Sequence, residues 1–277
     1  MAAPGPPTLP GMRLVTWNVL WRFAPDWRAR ERAILTTLDD LHPDVVGLQE
    51  CWATADETQA DRVADRLGLH AAFAGPSLPP VPDPPEHADQ AGVRMGVGLG
   101  TRWPVVRLVQ HVLPVSHRQV APVALEAEIA HPETPFRVIV AATEWEPEYS
   151  DDHLAQTTRL AQLIAAPHRS TSPTFLLGDL NCDVTQPEFA PLDAVSVDTW
   201  AAGGGAPDAV TLSSAVPFAP LEAVKEIDRR IDHVLVRRGD GVAVESVAIA
   251  DAPVHAVHPS DHFPVVVDVR LPSWSTG

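Results

Sequence analysis

Lysine is almost missing from this chain: Lys225 is the only one in 277 residues, and basic character rests on arginine. Acidic residues outnumber Lys and Arg by 36 to 20, giving a formal net charge of −16. That balance argues against a broad electropositive surface for nucleic acid or anionic membrane, while leaving room for a local basic patch or a metal that handles phosphate. The two cysteines, Cys51 and Cys182, make no disulfide framework, which fits a reducing, cytoplasmic setting, and they are too sparse for a structural zinc site. No apolar run approaches the length of a membrane span. The opening MAAPGPPTLPGMR lacks a charged n-region and an h-region, so no secretory signal is expected. Its Pro and Gly content reads as a disordered leader over residues 1–11, and residues 272–277 read as a tail. Few lysines and no P-loop glycine pattern weigh against a kinase or NTPase. There is no internal repeat at a solenoid period.

What is present is an ordinary globular composition, 45% hydrophobic with mean hydropathy near zero, and length for a substantial core. Short apolar runs read as buried strands at 13–19, 44–49, 174–177, 231–236 and 264–269. Further strands are expected near 70–74, 95–99, 105–112, 123–129, 136–141 and 242–249. Those in the centre follow one another without helices, as in antiparallel hairpins. Apolar stripes predict helices from Pro25-Asp26 to Leu41, from a capping box at Thr54-x-x-Glu57 to Leu67, and from a Ser150 cap onward. A short helix is expected over 186–194, and the proline-dense stretch 76–90 is a surface loop. No linker separates two cores, so residues 12–271 form one domain.

Polar residues recur at the strand ends. Gly178-Asp179-Leu180-Asn181 closes one strand with a carboxylate and an amide whose tips stay close together. The pair suits a site that orients a metal-bound water and receives developing negative charge. An Asx-turn is the plain alternative. Asn18, Glu50, Asp232 and Asp261-His262 sit at comparable positions. Together they are the hard oxygen ligands and the one imidazole that magnesium-assisted phosphoryl hydrolysis needs. Cys51, Cys182 and the tryptophans Trp103, Trp145 and Trp200 read as packing. Among the histidines outside these strand-end segments, only His258 lies close to one of them.

Six segments, in order, resemble the endonuclease/exonuclease/phosphatase superfamily of metal-dependent phosphoesterases: TWN (16–18), LQE (48–50), GVGL (96–99), GDLN (178–181), IDHVLV (231–236) and SDHFPV (260–265). The resemblance runs from Arg13 to Val269. It implies a four-layer α/β/β/α sandwich of two mixed sheets, with the active site built from loops at one end. It further implies a Mg²⁺ or Mn²⁺ ion held by Glu50, with Asn18 and Asp261. Asp179 would orient or activate water, Asn181 would donate to phosphoryl oxygens, and His262 would contact the scissile phosphate with Asp232 fixing its ring. Which residue is the base stays open. The substrate would be a phosphate ester, with nucleic acid, a small phosphodiester and a phosphomonoester all open.

Two departures stand out. Where the family carries Thr-His-Leu, this chain reads Thr143-Glu144-Trp145, and the serine after GVGL is replaced by Gly100-Thr101-Arg102. Glu144 is expected either to be a further metal ligand or to pair with Arg94 or Arg102, which would keep a donor near the substrate phosphate. A binding module that kept the fold and lost turnover is the alternative function. Retention of Glu50, Asp179, Asn181, Asp232 and His262 speaks against it.

Overall fold

The computed structural model describes residues 11–167, 172–221 and 227–272. The expected leader, apart from Gly11, and the tail beyond Pro272 lie outside the described residues.

Two six-stranded sheets face each other. The first has the order β11-β12-β1-β2-β4-β3, from β1 (Met12–Asn18), β2 (Val45–Ala53), β3 (His70–Ala74), β4 (Arg94–Thr101), β11 (Ala243–Ile249) and β12 (Val265–Arg270). The second has the order β5-β6-β7-β8-β10-β9, from β5 (Val105–Val112), β6 (Val123–Ile129), β7 (Phe136–Ala142), β8 (Thr174–Asp179), β9 (Ser196–Asp198) and β10 (Asp232–Arg237). Each sheet has one parallel pair, β1 with β2 and β7 with β8, and is otherwise antiparallel. A helix spans each parallel crossover: α1 (Trp27–Leu41) in the first sheet and α3 (Ser150–Ala165) in the second. Strands β5 to β7 form the expected meander, but β4 belongs to the opposite sheet, so the chain changes layers at 102–104.

The apolar runs are explained by burial on both faces. Leu14, Val45, Val140, Leu177 and Val234 point into the layer between the sheets. Their neighbours Val15 and Val46 point outward against Ile34 and Leu38 of α1 and Val63 of α2 (Gln59–Leu67). On the other side Ile139, Leu176 and Leu235 pack under Leu160 and Ile164 of α3. Alternation thus carries apolar side chains to both sides, which produces α/β/β/α layers.

Two local expectations are corrected. Helix α2 starts after Thr58, whose hydroxyl accepts from Asp61 N in a reciprocal box, whereas Thr54 and Glu57 close a separate turn. Ser150 is the first residue of α3 and not its cap. Short α4 (Ala190–Asp193), led by a 3₁₀ turn at Pro187–Phe189, and α5 (Thr199–Ala202) complete the outer layer. No helix among the described residues is long and apolar enough to cross a membrane.

Candidate active site

The C-terminal ends of the parallel strands open onto one edge of the sandwich. Asn18 is the last residue of β1 and Asp179 the last of β8, while Asp232 is the first of antiparallel β10 and pairs in register with Asp179. Asp261 and His262 lie in the segment that leads into β12, which begins at Val265. Glu50 was expected where its strand ends, but β2 runs on to Ala53. The register with β4 gains a residue between Leu48 and Cys51, and Glu50 occupies that bulge at φ 54°. A bulge re-aims a side chain, and here the left-handed backbone holds the carboxylate toward Asn18. Asn181 also has positive φ, 48°, a conformation asparagine tolerates better than most residues.

Asn18 ties the centre together. Its Nδ2 donates to Glu50 Oε1 and to Asp179 Oδ2, both at 2.9 Å. Asp179 Oδ1 accepts from Asn181 N at 3.1 Å. His262 Nδ1 lies 2.8 Å from Asp232 Oδ2, and its Nε2 lies 3.8 Å from Asp179 Oδ2. Asn181 directs Nδ2 to Thr143 O at 3.0 Å, leaving one amide hydrogen for another acceptor.

The electrostatics follow from burial. Desolvation, and then repulsion from Asp261, raise the Glu50 carboxyl to about 8. Asp179 is raised to about 7 by burial, with Asp232 adding and His262 opposing. Burial also raises Asp261. His262 is buried too, which works against its charge, but Asp232 and Asp179 outweigh this and hold it well above the ordinary histidine value. Glu50 Oε2 and Asp232 Oδ1 are occluded and have no hydrogen-bond partner. An orphaned carboxylate oxygen beside a second raised carboxyl is the donor set that a hard divalent cation fits. Asp179, Asp232 and His262 also offer ligand atoms within 4.8 Å of one another. Since Asp232 already engages His262 Nδ1, we read that trio as a proton-handling group and Glu50 with Asp261 as the cation side.

The arginines expected near Glu144 lie elsewhere. Arg102 falls beside the start of β2, at the opposite end from Glu50 because β4 is antiparallel, and binds Asp44 at 2.7 Å. Arg94 is exposed, its guanidinium 6.0 Å over the Phe73 ring. Glu144 is instead gripped by Arg118, Nε to Oε2 and Nη2 to Oε1, both 2.8 Å, and by the N–H groups of Trp145 and Glu146. Burial opposes its charge, but these bonds keep it below the usual carboxylate range. It does not line the cavity described next, so neither expected role is supported.

Three supporting residues were missed. Arg30, 2% exposed, donates to the carbonyls of Val19, Leu20, Trp21 and Pro259, joining the loop after β1 to the one carrying Asp261. Burial lowers it to about 10, against the pull of Asp261 and Glu50. His153 Nε2 bonds Leu180 O and His233 Nε2 bonds Cys182 O, fixing the backbone on either side of Asn181. Arg30 sits four residues before Ile34 on the apolar stripe of α1, a signal that could have found it.

A cavity of about 530 Å³ opens over this floor. Glu50, Thr143, Asp179, Asn181, Asp261 and His262 line it below, with Leu20, Phe23, Leu78, Trp145, Leu212 and Phe218 among its apolar walls.

The fold and this edge define an α/β sandwich of the phosphoesterase type. A sequence model described as the Endonuclease/Exonuclease/phosphatase family matches residues 15–262, and the chain belongs to that family. Among solved structures it is similar to the human Nocturnin catalytic domain with bound sulfate (20% identity, TM-score 0.74, 96% of each chain covered). An endonuclease/exonuclease/phosphatase from Beutenbergia cavernae shares 25% identity at TM-score 0.69, over 94% of this chain and 72% of that one. D. rerio TDP2 complexed with single-strand DNA product shares 16% identity at TM-score 0.68, over 94% and 99%. No curated protein sequence matches.

Proposed function

We propose that this protein is a Mg²⁺- or Mn²⁺-dependent phosphoesterase that hydrolyses a phosphate ester by attack of water. The observation that carries the reading is the convergence of Asn18, Glu50, Asp179, Asn181, Asp232, Asp261 and His262, from five separated segments, on one cavity edge. Membership of a family that generally hydrolyses phosphoester bonds supports it.

Glu50 and Asp261 would hold the cation, with Asn18 fixing the Glu50 carboxylate. A bound divalent ion neutralises phosphate charge and sharpens the nucleophile. Asp179, held on both oxygens by Asn18 and Asn181 N, takes a proton from the attacking water. Its raised value of about 7 suits proton transfer near neutral pH. His262, oriented by Asp232, presents a charged Nε2–H to a phosphoryl or leaving-group oxygen. Asn181 gives its second amide hydrogen to the phosphoryl group.

The test is hydrolysis of bis(p-nitrophenyl) phosphate with Mg²⁺ or Mn²⁺, against EDTA and Asp179→Ala controls. Metal-dependent turnover lost in the variant is expected. Turnover that survives EDTA or the substitution would reject the assignment.

A further inference from the structure

The charge budget of the cavity wall narrows the substrate. None of the described residues lining it is lysine or arginine. The arginines that touch lining residues are already committed. Arg229 accepts from Leu212 N through its backbone carbonyl while its guanidinium pairs with Asp183. Arg118 lies 4.2 Å over Trp145 but is clamped by Glu144 and Glu146. Arg30 lies 5.8 Å from the Phe218 ring but spends its Nη donors on four backbone carbonyls. The wall above the catalytic floor is apolar: Leu20, Phe23, Leu78, Trp145, Leu212 and Phe218.

A nucleic-acid strand brings a further negative phosphate on each side of the one being cut, and proteins that track such a backbone meet it with cations. This wall offers those phosphates no described cation, on a protein of net charge −16. An apolar substituent, by contrast, gains from every Å² of wall it covers. A cavity of about 530 Å³ is in the size range that encloses a small molecule.

Resting on the phosphoesterase reading, we infer that the substrate is a small phosphate diester with a single phosphoryl group, bearing an apolar aryl or alkyl substituent that packs between Leu78, Trp145 and Phe218. Water adds to phosphorus, the bond to one ester oxygen breaks, and that oxygen leaves as the alcohol with the proton supplied by His262. The products are an alcohol and a monoester, and no redox partner is involved.

The experiment compares p-nitrophenyl phenyl phosphate with p-nitrophenyl methyl phosphate and thymidine 5′-(p-nitrophenyl) phosphate. All three share a leaving group, and each rate is normalised to its metal-catalysed rate without protein. The phenyl ester is expected to show about tenfold or greater kcat/KM over the methyl ester, and also to exceed the nucleotide ester. Phe218→Ala and Leu78→Ala should shrink the phenyl-to-methyl ratio. As a binding readout, phenylphosphonate should compete at lower concentration than methylphosphonate. Should a variant fail to fold, the substrate series on the unaltered chain decides alone. Equal normalised rates, or preference for the nucleotide ester, would overturn the inference and leave the phosphoesterase reading standing. Hydrolysis of none of the three would overturn that reading and this inference with it.

Discussion

Asp179 and Asp232 stand directly opposite each other across the antiparallel β8–β10 pair, with the His262 ring reaching both: Nδ1 is 2.8 Å from Asp232 and Nε2 is 3.8 Å from Asp179. Like charges at facing positions destabilise a sheet, so the imidazolium offsets a repulsion built into the register. Replacing Asp232 with Asn removes one carboxylate from both neighbours. Asp179 should fall below its value of about 7, and His262 should fall toward the ordinary histidine range. Both limbs of the pH profile of kcat/KM should therefore move to lower pH, with kcat down roughly 10²-fold or more. A profile unmoved in Asp232→Asn would show that Asp232 does not set the ring's charge.

Cation binding should release a proton. With Glu50 raised to about 8, the metal-free protein at pH 7 holds a proton on that carboxyl which a divalent ion must displace. The sign follows from the raised value. Metal-free stability declines as pH rises from the unfolded carboxyl range, about 4.5, through about 8, because the unfolded chain ionises first. Mn²⁺ affinity should rise over the same window and level off above it. Calorimetric titrations at pH 7 in buffers of different ionisation enthalpy should report about one proton released, and Glu50→Gln should abolish both binding and release. Affinity independent of pH between 6 and 8 would place the cation elsewhere.

The Glu144–Arg118 pair should be structural. Glu144 is fully buried and Arg118 partly so, so Arg118→Ala strands a desolvated carboxylate at a cost of about 3 kcal/mol. Glu144→Gln keeps the backbone bonds and should cost less. Mn²⁺ affinity should be unchanged in Glu144→Gln, measured by the same calorimetry. A weakened affinity there would return Glu144 to the cation site.

Arg30 should be intolerant even of lysine. Its two Nη atoms reach four carbonyls at 2.9–3.3 Å, a fork that a single ammonium cannot reproduce. Arg30→Lys should lower stability by about 2–4 kcal/mol and kcat/KM with it, since the loop that follows Asn18 and the segment carrying Asp261 lose their tie. Chemical denaturation read beside the kinetics checks this, and a neutral substitution would remove Arg30 from the scaffold of the site.

The residues of the centre were legible because they lie in short contiguous motifs next to buried strands, as in Gly178-Asp179-Leu180-Asn181 and Ser260-Asp261-His262. What depends on distant pairing was not. The bulge at Glu50 exists only against β4, more than forty residues on. The partner of Glu144 lies 26 residues earlier, in a segment with no regular element. The α2 cap was misplaced because Thr54-x-x-Glu57 and Thr58-x-x-Asp61 carry the same local signal. The apolar face decides between them, with Ala60, Val63 and Ala64 buried inside the helix and the first box lying ahead of it. The four layers were implied by the family resemblance, and strands apolar on both faces agree with them, although the crossing of the chain between sheets at 102–104 has no mark in the pattern.

Gly47 limits how closely the two sheets can approach beneath the site. A Cβ there would lie 2.9 Å from Leu177 Cβ and 3.2 Å from Val140 Cγ2. Both are backbone-proximal atoms of the facing sheet, with little freedom to move aside. Gly47→Ala should therefore push β2 away from β7 and β8, overpacking the core at about 1–3 kcal/mol. Because β2 carries Glu50 and β8 carries Asp179, the same displacement should stretch the Asn18 bridge between them. The expected signature is a lower melting temperature together with weakened Mn²⁺ binding. Loss of stability with undiminished cation affinity would mean that Asn18 and Glu50 move as one with β2, leaving the cation side rigid while the sheets separate.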